Sequence, residues 1–367
     1  MSTKLSRFNK NSYFMNLALN QAKINLGNTK ENPSVGCVIV KNDNIIGLGH
    51  TSINGRPHAE YNAINFNKCS KKNSSLYSTL EPCSNFGKTP PCVKSIIKNK
   101  IKKIFFYIND PDKRSFNKCK NSLNKEGLKV FKSILSKEIN YFYRSYVKSK
   151  KNHFPFVTCK IAISKDFYTI NTKKKWITNN YSRGRVHLMR SQHDCIVTSS
   201  KTINDDNPSL NCRIEGLQRR SPSILIIDKN LKIKINSKVI KKGKKIQTII
   251  FYNKDNKKKI KLLKSLKIKT YKISLDEDNS LDLQAFLVKA KILGFSRIFL
   301  EAGSSLTLSF LKRKLIDDLK IFISNKNIGK DGLSNIKKKL FFFLNNKKGL
   351  EEKVNLFGEK LISYKLI

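Results

Sequence analysis

The chain has 367 residues, enough for two domains of ordinary size with sizeable cores. It carries 74 Lys and Arg against 26 Asp and Glu, a formal net charge of +48, and its eight cysteines follow no regular spacing. No apolar run reaches the ~18 residues of a membrane-spanning helix, so no transmembrane helix is indicated, and the scattered cysteines do not read as a disulfide framework. The polar start M-S-T-K-L-S-R-F-N-K has no signal-peptide core, and a cytoplasmic protein is expected. The basic residues are spread through both halves and accompany no RNA-binding motif. They read as compositional drift on a solvated surface, not as a specific nucleic-acid site, although such a field draws small anions.

In the first half, Phe14, Leu17, Ala18, Gln21 and Ile24 recur at helical spacing over 11–26, and Gly27 offers a cap. Residues 35–40 and 44–48 read as strands joined by the turn Lys41-Asn42-Asp43, and a helix is expected from His58 to Phe66 with His58 in its first turn. A strand over 75–80 delivers Glu81-Pro82-Cys83. A helix over 91–99, a strand over 104–108, a helix over 117–126 and a short strand over 128–131 follow. This alternation predicts a mixed sheet with helices on both faces. A helix near 136–147 runs into K-S-K-K-N-H-F-P, the expected junction between a first domain over 1–150 and a second over 151–367.

Chemistry concentrates in P-H-A-E at 57–60 and E-P-C-S-N-F-G-K-T-P-P-C at 81–92. His58, Cys83 and Cys92 supply one imidazole and two thiolates, three zinc ligands that leave a fourth position open for water. A closed structural site would need a fourth protein ligand, and none lies at short spacing. Zinc lowers the pKa of its water to roughly 7, and Glu60, two residues from His58, is placed to carry the proton from that water to a leaving amine. This is the donor pattern of zinc deaminases.

The second half repeats strand and helix: strands at 156–163, 195–198, 224–227, 248–252 and 298–300, helices near 180–192, 283–293 and 305–315, and strands to the C-terminus. A lysine-rich helix and strand over 254–273 reads as a solvated face. Three islands stand out: K-I-A-I-S-K-D at 160–166 followed by Trp176-Ile177-Thr178, M-R-S-Q-H-D-C-I-V-T-S-S-K-T-I-N-D-D-N-P-S-L-N-C-R at 189–213, and F-L-E-A-G-S-S-L at 299–306. In the last, a small-residue turn at a helix start offers backbone N–H groups to a phosphate. Asp205-Asp206-Asn207-Pro208 alone reads as a polar turn.

Taken together, E-N-P-S-V-G-C-V, P-H-A-E, E-P-C-S with G-K-T-P-P-C, W-I-T, S-K-T-I-N-D-D-N-P-S-L and E-A-G resemble, in order along nearly the whole chain, the bifunctional riboflavin-biosynthesis deaminase/reductase family. The nine-residue separation of Cys83 and Cys92 distinguishes it from nucleic-acid-editing and cytidine deaminases, whose cysteines stand in P-C-x-x-C. The resemblance implies an α/β protein with a cytidine-deaminase-like three-layer N-terminal domain and a dihydrofolate-reductase-like C-terminal domain. It implies Zn2+ and NADPH as cofactors, a small phosphorylated pyrimidine as substrate, and a homo-oligomer without membrane or specific nucleic-acid partners. By position, it assigns Asn32 and Lys88 to the deaminase substrate. Ala162, Trp176, Thr202, Asp206, Gly303, Ser304, Ser305 and Leu306 fall to NADPH. Arg190, Leu210, Arg213 and Glu301 fall to the reductase substrate, with Lys160 near the reacting sugar. The chain departs from the family at Thr51 and Asn85, each in place of a usual histidine. It departs again at Phe167 and Tyr168, in place of glycine and a basic residue, and at Lys174 and Lys229, in place of serines. A deaminase with a degenerate second half is the alternative reading.

Overall fold

The computed structural model describes residues 10–87, 89–132 and 137–367. The chain divides into two compact units, Met1–Asn152 and His153–Ile367.

The first unit runs α1 (Lys10–Lys23), β1 (Gly36–Lys41), β2 (Asn44–His50), α2 (Ala59–Ile64), β3 (Ser75–Leu80), α3 (Cys92–Lys98), β4 (Lys103–Ile108), α4 (Lys118–Lys125), β5 (Lys129–Lys132) and α5 (Lys137–Lys151). Its sheet has the order β2-β1-β3-β4-β5, antiparallel across the first three strands and parallel across the last three. Glycines seat the helices on both faces. In the register of β1 and β2, Cys37 faces Gly49 and Ile39 faces Gly47, while Gly36 points to the opposite side. A Cβ on Gly47 or Gly49 would strike the backbone of α2 at Ala59 and Ala63, and one on Gly36 would strike α1 at Ala18 and Ala22. The helices therefore rest directly on strand backbone, and α2, with the metal-ligand candidate at its start, is fixed against β2.

The second unit runs β6 (Phe156–Ile163), β7 (Tyr168–Asn171), α6 (Asn180–Ser191), β8 (Cys195–Ser199), α7 (Ser200–Asp206), β9 (Ser223–Ile227), α8 (Lys238–Lys241), β10 (Thr248–Tyr252), α9 (Lys257–Ser265), β11 (Lys269–Lys272), α10 (Leu283–Ile292), β12 (Arg297–Leu300), α11 (Ser304–Lys312), β13 (Asp318–Ile323), β14 (Gly332–Asn335), α12 (Lys337–Leu344), β15 (Leu350–Glu351) and β16 (Lys360–Lys365). Nine strands form one sheet in the order β11-β10-β9-β8-β12-β6-β13-β16-β15, parallel from β11 to β13 and antiparallel beyond. Strand residues alternate between two cores. Cys195 and Val197 enter one and Ile196 the other, and Val157, Cys159, Ile161 and Ile163 of β6 enter the first, leaving Thr158, Lys160 and Ala162 on the opposite face. The connection from β6 skips over the place of β12 to reach β8. The crevice beyond the carboxyl ends of β8, β12 and β6 is thus a topological switch point, where open α/β sheets bind ligands.

Two sequence expectations fail here. K-K-K-L-F-F-F-L at 337–344, expected within a run of strands, is the helix α12, which anchors one buried residue, Leu340. Asp205 and Asp206, read as a turn, close α7, whose start is capped by the Ser199 hydroxyl accepting from Thr202 N–H. The turn begins one residue later, at Asn207, in the left-handed region at φ 42°.

His193 gives the core of this unit an acid-sensitive position. Its Nδ1 lies 2.6 Å from the Met189 carbonyl, its ring stacks on Phe299, and Nε2 is buried without a partner. Burial, with Arg297 nearby, pushes its pKa down to about 3. The native state therefore holds it neutral while the unfolded chain protonates it below its ordinary value of about 6.5. Its stabilising contribution is full above that value and is lost as pH falls from there towards 3. Unfolding of the wild type measured from pH 7 to 4 should fall more steeply than that of His193→Gln, by up to about 1.4 kcal/mol per pH unit. Parallel curves would remove His193 from the acid response.

Candidate active sites

The first site is assembled by three chain segments. His58 is not in the first turn of a helix but at the N-cap of α2, with extended backbone, so its ring stands clear of the helix. Glu60 follows in the first turn and is buried. Cys83 comes just beyond the end of β3, and Cys92 is the first residue of α3, behind Pro91. Nδ1 of His58 lies 3.5 Å from Cys83 Sγ and 3.4 Å from Cys92 Sγ. Tetrahedral zinc with ordinary Zn–N and Zn–S bonds places such donors about 3.6 Å apart, so the donor set and spacing fit the ion. Among the described residues this is the one group of three or more His, Cys, Asp or Glu close enough to share a metal.

The electrostatics of the site favour an anion at Cys83 and a protonated thiol at Cys92. The Cys92 backbone N–H, at the positive end of α3, donates to Cys83 Sγ at 3.3 Å. The hydrogen bond from the Cys92 thiol, with His58 adding to it, holds the Cys83 thiol well below its usual range, and the same bond, then burial and Glu60, pushes the Cys92 thiol up. Glu60 sits beside the ligands: its Oε2 is 3.4 Å from Cys92 Sγ and its Oε1 accepts from the Ser78 hydroxyl at 3.1 Å. Burial, then the Cys83 charge, raises its carboxyl above the usual value, the direction that lets it hold a proton near neutrality.

Two residues without an assigned role shape this site, Ser78 of β3 and Glu81 of the motif at 81–92. Ser78 fixes one oxygen of Glu60. Glu81, from E-P-C, is buried and accepts the backbone N–H groups of Asp110, Asn117 and Cys119 at 3.1, 3.2 and 3.1 Å, tying down the segment after β4. Asn32 donates to the Gly55 carbonyl at 3.3 Å and so braces the loop that leads into His58. Thr51 is buried, its hydroxyl accepting from Val35 N–H at 2.9 Å. Lys88 lies outside the described residues.

The second site gathers residues from four segments at the switch point. Glu301 follows β12 and accepts a forked pair from Arg190 of α6, Nη2 to Oε2 at 2.7 Å and Nε to both oxygens at 3.2 Å. Burial opposes the charge on Glu301, but Arg190 and Lys160 outweigh it and hold its carboxyl below the usual range. Burial lowers the Lys160 ammonium, with Glu301 opposing and Arg190 adding to the shift. Arg213 is joined to Arg190 through a residue the motif reading passed over, His187. Arg213 Nη2 lies 3.1 Å from His187 Nε2, and both His187 Nδ1 and Arg190 Nη1 meet the Asn211 carbonyl, at 2.9 and 3.0 Å. Sequence offers little signal for it, since one histidine on a helix is usually packing. Leu210 buries its side chain in the core and stands in the left-handed region at φ 47°.

Beside this cluster, the Thr202 hydroxyl accepts from Gly303 N–H at 3.2 Å and locks the start of α7 to the turn before α11. Gly303 caps α11, and a Cβ there would meet nothing nearer than that hydroxyl at 3.7 Å, which leaves the helix start and Ser305 open. An open helix start at the carboxyl end of a parallel strand fits the pyrophosphate of a dinucleotide. The Ser304 hydroxyl is 2.9 Å from that of Ser334 and Leu306 packs on the core. Asp206 is raised by burial and by Asp205, with Lys175 opposing. Trp176 is 53% exposed under Arg183 and lines a cavity of about 540 Å³ with Ser164, Lys174, Tyr181 and Phe357. Ala162 is half-buried on β6 against the core.

The departures now have a physical form. Phe167 takes the left-handed conformation, φ 69°, that a glycine adopts freely, and its ring packs on Phe341 of α12. Tyr168 opens β7, Lys174 places a cation on the cavity wall, and Lys229 is engaged with Asn279 through its ammonium.

A mixed-sheet unit with a His-Cys-Cys cradle beside a buried glutamate, followed by a parallel-sheet unit with a phosphate-ready turn, defines a zinc-dependent deaminase joined to a dinucleotide-dependent reductase. Family models match both units: the cytidine and deoxycytidylate deaminase zinc-binding region over residues 8–108, and the RibD C-terminal domain over 155–346. The chain is 34% identical over 353 residues to riboflavin biosynthesis protein RibD of Buchnera aphidicola, covering 92% of this chain and 91% of that protein. It is 31% identical over 363 residues to the RibD of Aquifex aeolicus, covering 96% and 97%. A solved diaminohydroxyphosphoribosylaminopyrimidine deaminase/5-amino-6-(5-phosphoribosylamino)uracil reductase from Thermotoga maritima is 26% identical, with a TM-score of 0.82 over 97% of this chain and 98% of that chain. The chain belongs to the RibD family: it is a bifunctional riboflavin-biosynthesis enzyme, with Zn2+ serving its deaminase half and NADPH its reductase half. A deaminase with a relic second half is not favoured, and no described helix is long and apolar enough to cross a membrane.

Proposed function

We propose that residues 1–150 hydrolyse the 2-amino group of 2,5-diamino-6-(5-phosphoribosylamino)pyrimidin-4-one, and that residues 151–367 reduce the ribosyl group of the product to ribityl. The observation that carries the pairing is the cationic corner of the second unit, where Lys160 and Arg190 flank one buried carboxylate, Glu301, at the strand ends, and Arg213 joins Arg190 through His187 and the Asn211 carbonyl. A phosphorylated sugar that must be held by one end and reacted at the other needs such a corner.

In the deaminase, His58, Cys83 and Cys92 hold the metal, which supplies Lewis acidity that lets water attack at neutral pH. Glu60 moves the proton from that water to the departing amine, and Ser78 keeps its carboxylate aimed. Asn32 and Lys88 orient the substrate. In the reductase, NADPH supplies the hydride. Ala162, Trp176, Thr202, Asp206 and the turn Gly303-Ser304-Ser305-Leu306 hold it, with the turn taking its phosphates. Arg190, Leu210 and Arg213 hold the substrate, Glu301 organises the arginines, and Lys160 stands by the reacting carbon, where its lowered pKa suits proton transfer to the opening sugar.

The protein is further read as cytoplasmic, without a specific nucleic-acid partner, and as a homo-oligomer. The exposed register partners Ile170 and Leu333 support the last reading. The roles of the reductase arginines are tested with Arg213→Ala. Its KM for the deaminated substrate should rise by an amount equivalent to about 1.5–3 kcal/mol, the worth of hydrogen bonds to a charged group. An unchanged KM would remove Arg213 from the substrate site.

A further inference from the structure

His187, on α6, is engaged at both ring nitrogens in opposite senses, with Arg190 Nη1 a longer 3.4 Å from Nδ1. Its Nδ1 meets the Asn211 carbonyl at 2.9 Å, and a carbonyl only accepts, so Nδ1 carries the proton. Its Nε2 faces Nε and Nη2 of Arg213 at 3.3 and 3.1 Å, and a guanidinium only donates, so Nε2 presents its lone pair. The same Asn211 carbonyl takes Arg190 Nη1 at 3.0 Å. A continuous bonded path thus runs from Glu301 through Arg190 and Asn211 to His187 and Arg213.

Resting on the reading of Arg213 as a substrate ligand, we propose that His187 is a positioning residue of the reductase: neutral, it holds the Arg213 guanidinium in the pose that receives the substrate phosphate, and protonated it releases it. A proton on Nε2 would point at a guanidinium that has nothing to accept it. The charged groups facing the ring are Arg190 on its own helix, Arg213 on the segment after α7, and Glu301 beyond β12. Burial and the two arginines oppose its protonation, while the Asn211 carbonyl and Glu301 favour it, and the balance lowers its pKa. The grip on Arg213 therefore holds at neutral pH and loosens on the acid side of the ordinary histidine value.

The test uses the full chain with NADPH and the deaminated substrate, following KM and kcat from pH 5.5 to 8. His187→Ala should raise KM at pH 7.5 by about tenfold, the loss of one hydrogen bond to a charged group, while kcat and the Kd for NADPH stay within about twofold. His187→Gln, whose amide oxygen can accept from Arg213, should restore most of the KM. The substrate phosphate titrates with a pKa near 6 in every variant, so the signature is the difference between profiles. The wild-type KM should climb more steeply towards acid than that of His187→Gln. If Arg213→Ala raises KM while both His187 variants keep the wild-type KM and profile, the positioning role is overturned. If His187→Ala loses NADPH binding and kcat together, its role is structural and the proposal falls. If Arg213→Ala itself leaves KM unchanged, the phosphate reading fails and this proposal with it.

Discussion

Glu60→Gln is expected to lower ammonia release by roughly 10²–10⁴-fold, the usual worth of a positioned general acid–base, while zinc stays at about one ion per chain. The carboxylate is not among the three donors: its Oε2 is 3.4 Å from Cys92 Sγ, and the His58, Cys83 and Cys92 atoms form the metal cradle without it. Glutamine keeps the shape, and its amide oxygen can still accept from the Ser78 hydroxyl that now bonds Oε1. What it loses is the titrating proton, which burial and the Cys83 charge raise towards the working range. Metal analysis and an ammonia assay on the same preparation separate the two roles. Loss of zinc would make Glu60 a ligand or a fold-bearing residue, and near-normal deamination would remove it from proton transfer.

The second large effect lies in the reductase. Glu301→Ala should abolish NADPH oxidation and cost about 3–5 kcal/mol of stability in that unit, the range for a buried ion pair that loses one partner. The reason is local. The Arg190 and Glu301 side chains are only 13% and 9% exposed, so removing the carboxylate strands a buried guanidinium beside the Lys160 ammonium. Glu301→Gln separates fold from charge: it keeps the volume and one acceptor but should still lower NADPH oxidation, because Lys160 and Arg190 then repel each other without compensation. The ammonia assay, run alongside, reports on the other unit. Normal NADPH oxidation in Glu301→Gln would mean that the corner needs only a hydrogen-bond acceptor, not a charge.

Much of this was legible in the sequence where a local rule and the fold agree. The strands at 75–80 and 248–252 match the observed β3 and β10 at both ends, because continuous β-forming runs are bounded there by polar breakers. The metal cradle was legible because its donors lie in two short motifs. The failures have a common cause in context. Phe341, Phe342 and Phe343 have strand propensity, yet their segment is held as a helix by Leu340 in the core and by Phe341 against Phe167. Asp205 and Asp206 read as a turn because Pro208 follows, but the Ser199 cap starts a helix that runs to Asp206 first. His187 was invisible because its meaning lies in Arg213, 26 residues away, and in a carbonyl that two side chains share.

Both activities reside in one chain, and each can be followed on its own. The direct measurement is ammonia release and NADPH oxidation, followed separately on the purified chain, first with the diamino substrate and then after zinc is removed by a chelator. The untreated enzyme should release ammonia and then oxidise NADPH in equal amounts. The chelated enzyme should release none, yet still oxidise NADPH when given the deaminated compound. Normal ammonia release with no NADPH oxidation on either substrate would contradict the account and leave a deaminase carrying an inert second domain.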